Sequence, residues 1–141
     1  MYTIDNIKKS FLKIFSVKTS KEELNKFAEM KRNRLIKKLR SNAIAIITNQ
    51  IDLHLGCIKM NTYIYNIRDI KPLENIELRV FEDFYKAFSV YPIIEEKKYY
   101  NKEYLAKLEI ELNLIDNEYK LKIETKCKEI IEKFEYIKTV C

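Results

Sequence analysis

The sequence has very few of the residues that form tight turns, phosphate-binding loops and near-neutral catalytic groups. Its 141 residues include one glycine, two prolines, one histidine and no tryptophan. So little glycine argues against an all-β sandwich or a dinucleotide-binding α/β fold, and it excludes Walker-type phosphate loops. A single histidine removes most metal sites and most imidazole catalysis. Hydrophobic and charged residues are abundant, at 47% and 34% of the chain. This composition suits one helical domain.

The net charge of +6 comes entirely from the first third of the chain. Residues 1–40 carry 12 basic and 4 acidic side chains, whereas residues 41–94 and 95–141 each have a net charge of −1. A basic surface of this kind permits a nucleic-acid partner.

The three cysteines form no paired motif. Cys57 and Cys127 have apolar neighbours, and with Cys141 they make an odd number without a CxxC spacing. This pattern predicts buried thiols rather than a disulfide framework. The N-terminus lacks the order of a signal peptide, and no apolar run reaches the roughly 18 residues of a membrane span. We therefore expect a cytoplasmic protein with no membrane partner.

Apolar spacing predicts two helices in the first third of the chain. Asp5 can cap a short helix that ends near Val17. Ser20 and Glu23 form a capping box, which predicts the start of a second helix of roughly thirty residues ending near Asn49. The apolar positions of the two helices are Ile7, Phe11, Ile14, Phe15, Leu24, Phe27, Ala28, Leu35, Leu39, Ala43, Ile46 and Ile47.

A break is expected at Asn49, which tolerates the left-handed conformation, and Asp52 can cap a third helix. That helix ends before a connection at residues 69–72. Residues 62–65 could also be read as a strand, but such a strand would have no partner, so we prefer the helix. The apolar positions of the third helix are Leu55, Ile58, Tyr63 and Ile67.

Two further helices complete the predicted fold. Residues 74–88 place Leu78, Phe81, Phe84, Tyr85 and Phe88 on one face. Asn101 caps a C-terminal helix whose apolar stripe continues to Ile137, about 33 residues or ~50 Å. A second apolar row on that helix predicts neighbours on two sides and consists of Ile110, Leu114, Leu121 and Ile131. We expect an all-α, single-domain antiparallel bundle of about five helices over residues 1–141, with a long C-terminal spine helix.

No cluster of residues predicts catalysis. His54 and Cys57 share a helix face, but two ligands do not make a metal site, and a Cys–His pair would need a third orienting group. Adjacent acids on a helix point about 100° apart, so pairs such as Glu82-Asp83 do not converge. The sequence therefore predicts no enzyme activity, no cofactor, no metal and no small-molecule substrate.

The most concentrated feature of the sequence is the basic stretch at residues 31–40. As a nucleic-acid footprint it would contact phosphates, although a solvated helix face would show the same composition. Aromatic residues do not alternate with these cations, which argues against a platform for stacked bases. The nucleic-acid candidates are Lys31, Arg32, Arg34, Lys37, Lys38 and Arg40.

Several short motifs resemble, in order and spacing, a largely uncharacterised family of small helical bacterial proteins. They are Ala43 to Ile47 leading to Gly56-Cys57, Phe81 to Phe84 followed by Ser89 and Pro92, and Tyr119 followed by Cys127 to Phe134. Relatives in that family occur beside toxins of contact-dependent growth inhibition and act as immunity proteins. Between the serine and the proline the family usually has an acidic stretch, which is absent here.

The resemblance implies an immunity protein that binds the C-terminal domain of a cognate toxin and neutralises it stoichiometrically. The binding surface is expected on the near-neutral part of the chain, where acids and tyrosines flank the fourth predicted helix. Nucleic-acid binding through residues 31–40 is the alternative. The candidate toxin-binding residues are Glu74, Glu77, Glu82, Asp83, Tyr85, Tyr91, Glu95, Glu96, Tyr99 and Tyr100.

Overall fold

Residues 17–92 and 97–137 are described by the structure, a computed structural model, and they form α-helices without any β-strand. The helices are α1 (Val17–Ile47), α2 (Leu53–Ile70), α3 (Arg79–Phe88) and α4 (Lys102–Lys133), with one 3₁₀ turn at Lys97–Tyr99. The predicted all-α class is confirmed. The short helix predicted from Asp5 and the position of Cys141 lie outside the described residues.

The four helices run alternately up and down. Asn42 of α1 meets Gly56 of α2, whereas Arg32, earlier in α1, meets Lys71 beyond the end of α2. These two helices are therefore antiparallel. The side chain of Asn61 bonds to the carbonyl of Phe81, and His54 lies against Phe88, so α3 is antiparallel to α2.

The last helix closes the bundle. Phe84 of α3 contacts Tyr119, and Tyr91 bonds to Glu111, so α4 runs antiparallel to α3. Arg40 of α1 reaches the carbonyl of Ile131, which brings the C-terminal part of α4 against α1. The core lies between these helices and is built from Ile36, Leu39, Ala43, Ile46, Cys57, Met60, Ile64, Ile67, Phe81, Phe84, Phe88, Ile123, Cys127, Ile130, Phe134 and Ile137.

Three predicted helix boundaries are confirmed by their capping geometry. Asn49 has a φ of 58°, the left-handed conformation that ends α1. The carboxylate of Asp52 accepts from the amides of His54 and Leu55 at 3.1 and 3.2 Å and caps α2. The side chain of Asn101 accepts from the amide of Tyr104 at 2.7 Å and caps α4.

Other boundaries differ from the prediction. α1 starts at Val17, so the backbone of Ser20 is already helical and the predicted capping box is wrong. A serine inside a helix is less favourable than alanine by only about 0.5 kcal/mol, and the helix continues through it. Residues 74–78 are not helical: Asn75 is left-handed with a φ of 58°, and α3 begins only at Arg79, whose amide donates to the Glu77 carboxylate at 2.7 Å.

The fully buried core residues of the two long helices lie in the second half of each helix. Leu24, Phe27 and Met30, in the first half of α1, are 68%, 67% and 45% exposed. In the first half of α4 and just beyond it, Ile110, Leu114 and Leu121 are 65%, 65% and 72% exposed, so the described residues leave these three members of the predicted second row largely uncovered. α2 and α3 are shorter than α1 and α4, which leaves these segments uncovered. Of that row, Ile131 alone packs against the core.

The single glycine allows the closest contact between α1 and α2. A Cβ atom at Gly56 would lie 2.6 Å from Cγ1 of Ile46 and 3.2 Å from Cγ2 of Ile51. Since both neighbours are branched side chains in the packed interior, the site cannot take a methyl group without displacement. The buried side chain of Asn42 donates to the Gly56 carbonyl at 2.8 Å and ties the helices together at this point.

Candidate binding surfaces

Two grooves beside α2 contain six of the sixteen sequence-predicted site residues. The first, which we name the α2–α3 groove, has a volume of about 450 Å³ and lies between α2, residues 72–78 and the start of α3. Its lining includes the apolar side chains of Ile64, Leu73 and Ile76. Three predicted toxin-binding residues line it together, namely Glu77, Glu82 and Tyr85.

The charges of this groove are balanced locally. Glu77 and Glu82 face Arg68 and Arg79 in the same lining. Glu77 lies 3.9 Å from Nε of Arg79, and Glu82 pairs with Lys86 at 3.4 Å. Exposed pairs of this kind contribute only about 0.2–1 kcal/mol each to stability. The groove therefore offers paired charges around an apolar floor rather than a negative field.

The remaining predicted toxin-binding residues do not line the α2–α3 groove. Glu74 is exposed and pairs with Lys71 at 3.2 Å, and Asp83 is exposed on α3. The hydroxyl of Tyr91 donates to the Glu111 carboxylate at 3.3 Å. Tyr99 is 77% exposed, and Tyr100 stacks on Tyr104 at the start of α4. Glu95 and Glu96 lie outside the described residues.

The second groove, which we name the α1–α2 groove, is an open concavity of about 1040 Å³. From α1 it is lined by Arg34, Lys37 and Lys38, and from α2 by Lys59. No acidic side chain of residues 17–92 and 97–137 lines it. The rest of its lining is polar or partly apolar and comprises Ser41, Asn42, Ala45, Gln50, Ile51 and Tyr63.

The structure divides the basic stretch at residues 31–40 into two groups. Arg32 donates from Nε to the carbonyl of Lys71 at 2.8 Å and from Nη2 to the carbonyl of Pro72 at 3.0 Å. Arg40 donates from Nε to the carbonyl of Ile131 at 3.1 Å. These two arginines donate hydrogen bonds to carbonyls at helix ends. Such carbonyls have no hydrogen-bond donor within their own helix. Neither they nor the exposed Lys31 lines the α1–α2 groove.

The fold adds an aromatic residue of another helix to the surface formed by the basic stretch. The sequence shows no aromatic residue among its cations, but the fold brings Tyr63 of α2 into the same groove lining. Lys59 and Tyr63 are one helical turn apart and share a face of α2. The sequence does not reveal Lys59 and Tyr63 as part of this surface, because its residues come from two separate helices. The pairing of α1 with α2 is what assembles this surface.

His54 joins α2 to α4. Its Nε2–H donates to the Asp116 carboxylate at 2.7 Å, and its ring stacks on Phe84 with centroids 5.6 Å apart. Among the described residues, no three His, Cys, Asp or Glu side chains are grouped so as to hold a metal ion.

The two described cysteines are buried in the core, as predicted. Burial raises the pKa of Cys127 from 9.0 to about 12, and the nearby charge of Glu124 adds to the effect. Burial also raises the pKa of Cys57, with smaller contributions from Cys127, Asp52 and Asp116. A thiol held protonated at neutral pH is a poor nucleophile and a poor metal ligand.

Comparison with known proteins identifies a family for the chain. Within the described residues, no helix is both long enough and apolar enough to cross a membrane. Neither the curated proteins nor the solved structures gave a match. A family described as "Protein of unknown function (DUF2489)" matches residues 8–130, which is most of the chain, and this match carries no link to immunity proteins. The chain belongs to the DUF2489 family of proteins of unknown function.

Proposed function

We propose that this protein is a cytoplasmic immunity protein that neutralises a toxin domain by stoichiometric binding, with the α2–α3 groove as the centre of the interface. On this proposal it is not an enzyme and uses no cofactor or small-molecule substrate. The observation that carries the proposal is the convergence of Glu77, Glu82 and Tyr85 on one concave surface with an apolar floor.

The composition of the groove suits a protein partner. Protein interfaces combine an apolar centre, enriched in tyrosine and arginine, with a polar rim. Tyr65 and Tyr85 are 68% and 43% exposed in the lining, and Arg68 and Arg79 flank the apolar floor. An extended segment or a protruding side chain of the toxin would fill a cavity of this size.

The low net charge of the groove determines how it is expected to bind the toxin. Because Glu77 and Glu82 are accompanied by Arg68 and Arg79, the groove has little net charge to attract a partner from a distance. Affinity would come from burying Tyr85 and from re-pairing these charges with groups on the toxin. The rate of association is then expected to depend only weakly on salt.

Growth rescue tests this proposal. The proposal predicts that a gene directly upstream encodes a toxin; its C-terminal domain is co-expressed with the protein, and growth is expected to be restored. The variant E82K/Y85A is expected to weaken the complex about 100-fold, because a central tyrosine and a reversed charge each remove about 1–2 kcal/mol of binding energy. Isothermal titration measures the affinity, and circular dichroism confirms that the variant is folded.

The matched control is E118K/Y136A, which makes the same changes on the exposed surface of α4 and the turn after it, outside the groove. Its affinity is expected to stay within about twofold of the parent, since exposed residues outside an interface contribute little. Absence of both growth rescue and a complex would reject the immunity function. Equal losses in both variants would reject the α2–α3 groove as the interface.

A further inference from the structure

We propose that the α1–α2 groove is a binding site for single-stranded nucleic acid, separate from the proposed protein-binding surface. Arg34, Lys37, Lys38 and Lys59 all line it, without an acidic residue. Phosphate-binding surfaces need such an excess of cations, because each contact displaces a condensed counterion from the strand.

The four cations are available to a ligand. None of them forms an ion pair with the acidic side chains of residues 17–92 and 97–137. Other cations of the bundle are already engaged: Arg32 and Arg40 on carbonyls, and Lys71, Lys86 and Lys126 on glutamates. The α1–α2 groove therefore concentrates basic groups that no acidic side chain in the described part of the chain pairs with.

The shape of the groove favours a single strand over a duplex. The lining runs from Arg34 to Ala45 along α1, which is about 16 Å at 1.5 Å per residue. A strand with one phosphate per 3.4 Å would place about four or five phosphates along this length. A concave surface between two helices receives a strand, whereas reading a duplex requires a helix or ribbon that projects into a groove of the DNA.

Tyr63 supplies the second element of single-strand recognition. Its half-buried ring shares the lining with Lys59 and with the cations of α1. Proteins that bind single strands combine a basic track with aromatic rings on which bases stack. An acidic polypeptide would satisfy the cations but offers no planar base for this ring, so we favour nucleic acid as the occupant.

The two grooves can be tested independently. They share no lining residue: from α2, residues 59 and 63 line the α1–α2 groove, and residues 61, 64, 65, 67 and 68 line the α2–α3 groove. Loss of nucleic-acid binding would therefore leave the immunity proposal intact, and failure of growth rescue would leave the nucleic-acid site intact.

The experiment uses fluorescence anisotropy of the full chain with a labelled oligothymidylate of about 12 nucleotides, a length within the usual range for single-strand sites. Four phosphate contacts predict a slope of about −3 for log affinity against log salt, so binding weakens about 50-fold between 50 and 200 mM salt. For the variant K37Q/K38Q/K59Q, which keeps one of the four cations, the expected slope is about −1. Its affinity is then expected to fall only about threefold over the same salt range.

Two matched controls separate the groove from general surface charge. K107Q/K120Q/K128Q removes the same charge from exposed lysines of α4 that do not line the groove, and it is expected to retain a slope of about −3. Y63F keeps an aromatic ring and is expected to bind like the parent, whereas Y63L is expected to lose about tenfold in affinity, since stacking on an aromatic ring is worth about 1–3 kcal/mol per base.

Each alternative occupant gives a distinct result that would overturn the proposal. Equal losses in the two lysine variants would mean that binding is diffuse and not located in the groove. Tighter binding of a duplex of the same length would reject the single strand. Poly-glutamate that displaces the oligonucleotide at equal concentration, with no difference between Y63F and Y63L, would assign the groove to an acidic polypeptide. No measurable binding at 50 mM salt would reject the site altogether.

Discussion

Replacing Phe84 with alanine is expected to lower the free energy of unfolding by about 3–5 kcal/mol, the range found for fully buried phenylalanines. Phe84 has no exposed surface and lies at the junction of three helices. Its ring contacts His54, Phe88 and Tyr119 at centroid distances of 5.6, 4.8 and 5.3 Å. Alanine would leave a cavity that these rings, held by their own helices, cannot fill.

Urea unfolding followed by far-UV circular dichroism measures this change. The control is Val90→Ala, six residues further along, where the side chain is 79% exposed; we expect a change within about 0.5 kcal/mol. A loss below about 1 kcal/mol for Phe84→Ala would contradict the packing of α3 between α2 and α4.

The second large effect concerns the reactivity of Cys57 and Cys127. In a Cys141→Ser background, both thiols are expected to react with iodoacetamide at pH 8 about 1000-fold more slowly in the folded protein than in guanidinium. At that pH a thiol with a pKa of about 12 is about 0.01% thiolate, against about 10% at 9.0, and the thiolate is the reactive form. Mass spectrometry of quenched samples gives both rates. Rapid labelling of either cysteine under native conditions would show that it is not buried.

The same pKa shift predicts a loss of stability in alkali. Between pH 9 and about 12 the unfolded chain releases the thiol protons, while folded Cys127, with its pKa raised to about 12, retains its own. The unfolded state then binds fewer protons, so the free energy of unfolding falls as pH rises through this range. Urea melts of the parent and of C57A/C127A are expected to show a smaller pH slope in the variant. Identical slopes would contradict the shift.

Local signals predicted much of the helical framework. Asn49, Asp52 and Asn101 act at helix ends as their side-chain chemistry requires, because capping depends on atoms only two or three residues away. The capping box at Ser20 had the same local pattern and is wrong, since the helix there begins earlier. A local pattern shows that a helix end is possible, and the rest of the chain decides whether the helix continues.

The exposed halves of α1 and α4 could not be predicted from periodicity. Leu24 and Leu39 belong to the same apolar stripe, yet Leu24 is 68% exposed and Leu39 has no exposed surface. An apolar stripe gives the direction in which a helix face points, whereas the length of the neighbouring helices determines how much of that face is covered. α2 has 18 residues and α3 has 10, so both end before the longer helices do.

The candidate sites were predicted in part. Residue type and net charge pointed to Glu77, Glu82 and Tyr85, and the fold gathers these three in one groove. Arg68 and Arg79 were not predicted, because the expected surface was defined by acids and tyrosines alone. In the α1–α2 groove, the contribution of Lys59 and Tyr63 depends on how α2 lies against α1, which a single sequence does not encode in any short motif.

The two grooves differ in their lining, and our central proposal is that they bind different partners. Acids, arginines and tyrosines line the α2–α3 groove, and cations with one aromatic ring line the α1–α2 groove. On the two proposals, the first groove binds a protein partner and the second binds a single strand through its phosphates.

Hydrogen exchange of the full chain, alone and saturated with the toxin domain identified by growth rescue, tests that claim most directly. We expect new protection in residues 64–85, which include most of the α2–α3 groove and the non-helical segment before α3, and unchanged exchange in residues 34–45. Protection confined to residues 34–45, or no protection in either segment, would contradict the assignment of the α2–α3 groove to the protein partner.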